Sequence, residues 1–291
     1  MALGTTHTAQ AISPPATGWT ARLQLDYRLA AGRTVCQSLH EGPLRVLQAL
    51  YPEGDAVCHH VLVHPPGGLV AGDVVGVHAV LGQGSHAFIT TPGATRFYRS
   101  NGPVAVQRLR AELGPQARLE WLPLETIAYN QCQAESHLVF ALQEGAEFMA
   151  WDVLALGLPH AHQPFEQGRY LQHLEVEGVW MDRGAIDALD HDLMNGPLGL
   201  DGHRCLGTLV LAADQALSAQ RVEAGLARAR EATTSMSGLL VGVTLAHPRV
   251  MVARVLSAQT EPCRAALQAV WAVWRESQWA MKPQPSRMWR V

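Results

Sequence analysis

The residues of this sequence with the types and spacing to do chemistry are histidines and isolated carboxylates. Fourteen histidines are present, and the tightest groups are His59, His60 and His64, then His160 and His162, then His191 between Asp190 and Asp192. A catalytic zinc helix needs HExxH, which puts two imidazoles on one face with the base between them, and that motif is absent. His60 and His64 have i, i+4 spacing in a segment that reads as a strand, where such residues stand about 13 Å apart. His160 and His162 alternate correctly to reach one transition-metal ion from an extended chain. These groups keep a metal-dependent hydrolase open as an alternative function. The carboxylates that stand out are Glu120 in RLEWLP, Asp152 in FMAWDVLALG and Asp182 in VWMDRG. A carboxylate in so apolar a run is either paired inside the core or lines an internal polar passage.

Two turn-rich runs add to this set. In His64-Pro-Pro-Gly-Gly-Leu-Val-Ala-Gly-Asp73 a stiff segment turns through glycines and ends on a carboxylate. Asp73 either caps backbone N–H groups of that turn or stands in a crevice kept free of bulky side chains. Thr90-Thr-Pro-Gly-Ala-Thr-Arg-Phe-Tyr-Arg-Ser100 holds two arginines around Phe97 and Tyr98, which suits an anion or internal ion pairs with packed aromatics. GxSxG, GxGxxG and a P-loop are all missing, and the single lysine, Lys282, has no glycines to serve it. Cys58 and His59 adjoin on a strand and therefore point to opposite faces. Little here supports an enzyme.

The elements that must position these residues change character along the chain. Residues 1–16 read as a flexible lead-in. From 17 to 205, short apolar-alternating runs such as VVGVHAVL, HAFITT and FMAWDVLAL are broken by Gly and Pro about every 8 to 12 residues, without βαβ alternation. That pattern predicts a mainly β domain of stacked or sandwich-like sheets with many short strands. Residues 206–291 read as a small α+β portion with two helices, packed on the main domain as one unit: GTLVLAA, a helix with Asp214 at its cap, the strands LLVGVTLA and RVMVARVLS, then a helix capped by Thr260. This is most of a split βαβ unit, its last strand absent or supplied elsewhere. Leu267, Val270, Trp271 and Trp274 share one face of the second helix. Trp271, Trp274, Trp279 and Trp289 are either an intersubunit hot spot or the domain's own core. The acidic stretch 187–202 reads as a loop or insertion.

Composition limits the classes of function. The chain has 291 residues, 48% hydrophobic and 16% charged, with a formal net charge of −3. Charge is sparser than the roughly 25% of an average domain, so apolar surface and a partner are expected. Scattered arginines form no basic stripe for nucleic acid. Five unclustered cysteines read as free thiols of a reducing cytosol. No signal-peptide pattern and no apolar stretch of about 18 residues occurs, so a soluble cytoplasmic protein away from membranes is expected.

Taken in order, Gly42-Pro43-Leu44, Tyr51-Pro52-Glu53, the run from His64 to Asp73, Thr91-Pro-Gly-Ala-Thr-Arg-Phe-Tyr-Arg99, Leu119-Glu-Trp-Leu-Pro123, Ala150-Trp-Asp152 and Pro285-Ser-Arg-Met-Trp289 closely resemble the UreD family of urease accessory proteins, called UreH in some organisms. The resemblance runs from about Trp19 to the end. It implies a non-enzymatic, mainly β scaffold for nickel insertion into urease. Such a scaffold binds UreF, through it the GTPase UreG, and the urease apoprotein, as dimeric copies within an accessory complex. It implies no permanently bound cofactor and nickel in transit through an internal polar tunnel. By position, Asp73, Thr95, Asp152 and Asp182 correspond to the family's tunnel residues. Weak oxygen ligands in series suit an ion that must leave as readily as it enters.

Overall fold

The computed structural model describes residues 18–158 and 161–290. The lead-in 1–16 and His160 therefore lie outside the described residues. Two sheets stack face to face. The first, of seven strands, runs in the order β15 (Trp180–Asp187), β14 (Arg169–Val176), β11 (Gln133–Leu142), β8 (Ala105–Leu113), β5 (Val74–Leu81), β1 (Thr20–Ala30), β2 (Arg33–Glu41). The second runs β17 (Leu239–His247), β18 (Val250–Ser257), β16 (Cys205–Ala213), β12 (Glu147–Leu158), β9 (Arg118–Trp121), β6 (His86–Thr90), β4 (Val57–Val63), β3 (Arg45–Val46). Three short strands, β7 (Thr95–Phe97), β10 (Thr126–Ala128) and β13 (Gln163–Pro164), attach beside β12.

From β4 to β14 the chain alternates between the sheets, and each turn of this coil stacks parallel on the one before. β5, β8, β11 and β14 pair in parallel in one layer; β4, β6, β9 and β12 do so in the other. Apolar alternation aims every second residue at the layer between the sheets, where Val77, Ala79, Leu109, Leu138, Ala150 and Leu154 belong to one core. The corners stack as closely as the strands. The Gly114 N–H donates to the Leu81 carbonyl at 2.7 Å, and a Cβ at Gly114 would stand 2.8 Å from that oxygen, so only glycine fits this corner.

The opposite face of the second sheet is covered by α2 (Ala219–Thr234) and α3 (Thr260–Trp279), which enclose a second core around Phe88, Trp151, Leu209 and Met251. β16 pairs antiparallel with β12, so the strand missing from the C-terminal βαββα pattern comes from the coil. Two caps differ from expectation. Ser218, not Asp214, caps α2 by accepting from the Arg221 N–H, because the helix begins only at Ala219, while Asp214 is still paired through its N–H with the Ala146 carbonyl. Gln259, not Thr260, precedes α3. Inside the expected loop 187–202 stands a one-turn helix, α1 (His191–Asn195), whose cap Asp190 accepts from the Leu193 N–H at 3.0 Å. The hydrophilic strand β2, which shows no apolar alternation, forms by edge pairing with β1.

Candidate functional site

Asp152 sits on β12 between Ala150 and Leu154, both of which face the layer between the sheets. Period-two alternation therefore turns its carboxylate inward, where it is 6% exposed. Gln172 of β14, on the opposite sheet, donates to Asp152 Oδ2 at 2.8 Å. Burial raises the Asp152 pKa, and the Gln172 hydrogen bond only partly opposes it. Around it stand Tyr170 of β14, Ser136 of β11 and Thr126 of β10, all buried. The Tyr170 hydroxyl lies beside those of Ser136 and Thr126, and among the described residues neither the Tyr170 nor the Ser136 hydroxyl makes a hydrogen bond of good geometry. Burial, then the charge of Asp152, raises the Tyr170 pKa.

This polar set continues in both directions. On β7, Thr95 is the lateral partner of Thr126, which in turn pairs with Leu154. Thr95 lines a cavity of about 250 Å³ between the sheets together with His64, Gln107 and Trp121. Toward the other end, Gln172 and Asp182 line a larger cavity of about 780 Å³ at the edge where β15 meets β17 and β18. Asp182 is the lateral partner of Leu174 on β14 and so faces the same layer. Its Oδ2 lies 2.5 Å from Nη2 of Arg254 on β18.

Asp73 immediately precedes β5 and is 1% exposed. Its two carboxylate oxygens accept from the backbone N–H groups of Trp19, at 3.2 Å, and Val70, at 2.9 Å, which makes it the cap of the glycine-rich turn. The adjoining His64 is held in neutral form by burial, against the pull of Asp73, and its Nε2 is buried and unpartnered. In the same turn a Cβ at Gly68 would run into the Tyr98 ring, which explains one of the paired glycines. Arg96 and Arg99 are exposed and pair with no carboxylate among the described residues, while Phe97 is buried against Tyr170. Thus Thr95, Asp152 and Asp182 share one interlayer, and Asp73 borders it. They do not converge on a point, and no group of three or more His, Cys, Asp or Glu side chains among the described residues is placed to hold a metal ion.

Glu120, the remaining acid in an apolar run, belongs to the helix side of the second sheet. His86 meets its Oε1 at 2.9 Å, the Trp271 indole donates to Oε2 at 2.7 Å, and Nη2 of the fully buried Arg275 lies 3.2 Å from Oε1. Arg275 also forks onto Glu53, at 2.6 and 2.9 Å. Burial pushes the Glu53 pKa up, but hydrogen bonds from His59 and Arg275 outweigh it and hold it below the usual range. Two of the grouped histidines have structural partners: His59 bonds Glu53 on this face, and His60 bonds the Tyr27 hydroxyl on the other. His162 and His191 are exposed. The four tryptophans are buried in the protein's own core, with Trp289 against Phe88, Trp151 and Trp271 and its indole N–H on Thr90. The choice between hot spot and core is thus decided for core.

Sequence reasoning did not single out Thr126, Ser136, Tyr170, Gln172 or Arg254. A signal existed: Ser136 sits in register between Ala134 and Leu138, and Gln172 between Tyr170 and Leu174, at positions where alternation demands an apolar residue.

The fold is a coil of stacked sheets that encloses a series of polar side chains in its interlayer. A family model described as UreD urease accessory protein matches residues 20–290. The protein called Urease accessory protein UreD from Paracidovorax citrulli (strain AAC00-1) is 54% identical over 275 residues, covering 94% of this chain and 99% of its own. Its namesakes from Albidiferax ferrireducens and Variovorax paradoxus are 53% and 52% identical over 274 and 273 residues, covering 94% and 93% of this chain and 99% of their own. The chain belongs to the UreD family of urease accessory proteins, and its role lies in urease maturation. No helix among the described residues is long and apolar enough to cross a membrane.

Proposed function

We propose that this chain is a non-enzymatic cytoplasmic scaffold that binds UreF and, through it, the GTPase UreG, docks on the urease apoprotein, and passes nickel through its interior to the urease active site. One observation carries the reading: the polar series from Thr95 through Thr126, Tyr170, Ser136, Asp152 and Gln172 to Asp182 in an otherwise apolar interlayer. Buried hydroxyls without well-formed hydrogen bonds and a carboxylate that burial makes reluctant to ionise cost stability. Such groups are kept where something polar passes. Oxygen donors spaced along a layer offer a cation successive weak stations, each easy to leave. Asp73 would hold the turn at one end of the route. The missing P-loop supports assigning nucleotide hydrolysis to UreG.

The test is complementation of a strain lacking its own copy of this protein with the wild type, Asp152→Asn or Asp73→Ala, scored by urease activity, urease-bound nickel and co-purification of partners. Asp152→Asn should keep its partners and leave urease unloaded. Full nickel loading with that variant would overturn the internal route, and loss of partner binding by the wild type would overturn the scaffold.

A further inference from the structure

We propose that Arg254 is a removable cationic plug at the β15 end of the polar series. The inference rests on the internal route proposed above and adds what closes it. Asp182 is the acid of the roughly 780 Å³ cavity into which Gln172, the hydrogen-bond partner of Asp152, also opens. Its Oδ2 is occupied by the Arg254 guanidinium at 2.5 Å. Arg254 belongs to the other sheet, where its lateral partners are Thr208 of β16 and Gly242 of β17. The pair thus ties the two sheets across the cavity. A guanidinium there does two things to a divalent cation: it takes the carboxylate oxygen the cation would use, and it repels the cation by like charge. The Arg254 side chain is 57% exposed and that of Asp182 28%, so water competes for both groups and the pair stabilises the fold little. It is therefore suited to parting, and a poor strut. In the wild type, Asp182 becomes available to a cation once the guanidinium is displaced.

The experiment titrates Ni²⁺, as its chloride, into the full chain in complex with its co-purified partners, by calorimetry and equilibrium dialysis. Arg254→Gln keeps a hydrogen-bond donor for Asp182 and removes the charge. It should gain one Ni²⁺ site that binds at least about tenfold tighter than in the wild type. Arg254→Lys, which keeps the charge, should bind as the wild type does, and Arg254→Gln with Asp182→Asn should lose the gain. The plug is overturned if Arg254→Gln binds as the wild type, if the gain survives Asp182→Asn, or if Arg254→Lys shows the same gain. Asp152→Asn, scored for urease nickel loading beside these, separates the two ideas. If it abolishes loading while Arg254→Gln leaves Ni²⁺ binding unchanged, the plug alone fails. If it loads urease fully, the route fails and the plug with it.

Discussion

At Asp152, burial favours the neutral acid, and Gln172 offsets only part of that preference. A carboxyl whose folded pKa is raised contributes stability below its unfolded pKa and loses it as pH rises through the folded value. Above the unfolded pKa the buried acid therefore costs stability, so Asp152→Asn, which keeps an acceptor for Gln172, should raise the unfolding free energy and the Tm. Gain of stability with loss of nickel loading is the signature of a functional carboxylate, and a fall in Tm would mark a structural one. His60 works in the opposite sense. Burial, aided by the charge of His59, pushes its pKa down to about 4. The folded state then binds fewer protons than the unfolded one, and stability present above about pH 6.5 is lost as pH falls toward 4, by up to about 3 kcal/mol. Denaturant unfolding at pH 7 and pH 4.5 should show that loss, and His60→Phe should flatten it. The acids of the series were legible as residue types, because Asp in FMAWDVLALG has no bland surface role. Gln172 and Tyr170 were not, since neither is unusual in a strand until the opposite sheet is in place.

Helix α3 is held to the second sheet by charge as well as by apolar area. Arg275 is fully buried and serves Glu53 and Glu120 at once. Arg275→Leu leaves two buried carboxylates with only His59, His86 and Trp271 as partners and should cost about 3–5 kcal/mol, read by denaturant unfolding. Glu120→Gln keeps the shape and an acceptor and should cost less than half as much. Beyond the helix, Trp289 returns to the sheet, its ring among Phe88, Trp151 and Trp271. Trp289→Ala should cost about 3–5 kcal/mol, and Arg290→Ala, at an exposed neighbour, almost nothing. The strands of the coil were legible because each shows alternation bounded by Gly or Pro. β2 and α1 were not: exposed pairing and a single capped turn carry no apolar period.

On the scale of the whole molecule, the C-terminal portion is woven into the coil. β16 runs beside β12 over nine register pairs, and α3 covers Phe88 and Trp151 of coil strands. Removing residues 206–291 would expose that face of β6, β9 and β12, including the buried carboxylate of Glu120. The truncated chain should fail to fold as a soluble unit, and the intact protein should melt in one transition seen alike by tryptophan fluorescence and far-ultraviolet dichroism. Two separated transitions, or a soluble folded 18–205 fragment, would contradict this.

Local chemistry in the sequence determined the strands of the coil and the two long helices, since alternation, turn residues and helical spacing act over a few residues. It also determined that no phosphate loop, CxxC motif or zinc helix is encoded, and the ordered motifs carried the family. Only the tertiary structure decided which acid does what. Glu120, Asp152 and Asp182 read alike in sequence, each one polar residue in an apolar run. The face of the sheet on which each falls, and what the facing layer supplies, sends Glu120 to a buried arginine, Asp152 to a glutamine in the interlayer, and Asp182 to an exposed guanidinium. Those partners lie 155, 20 and 72 positions away along the chain, beyond the reach of any local pattern.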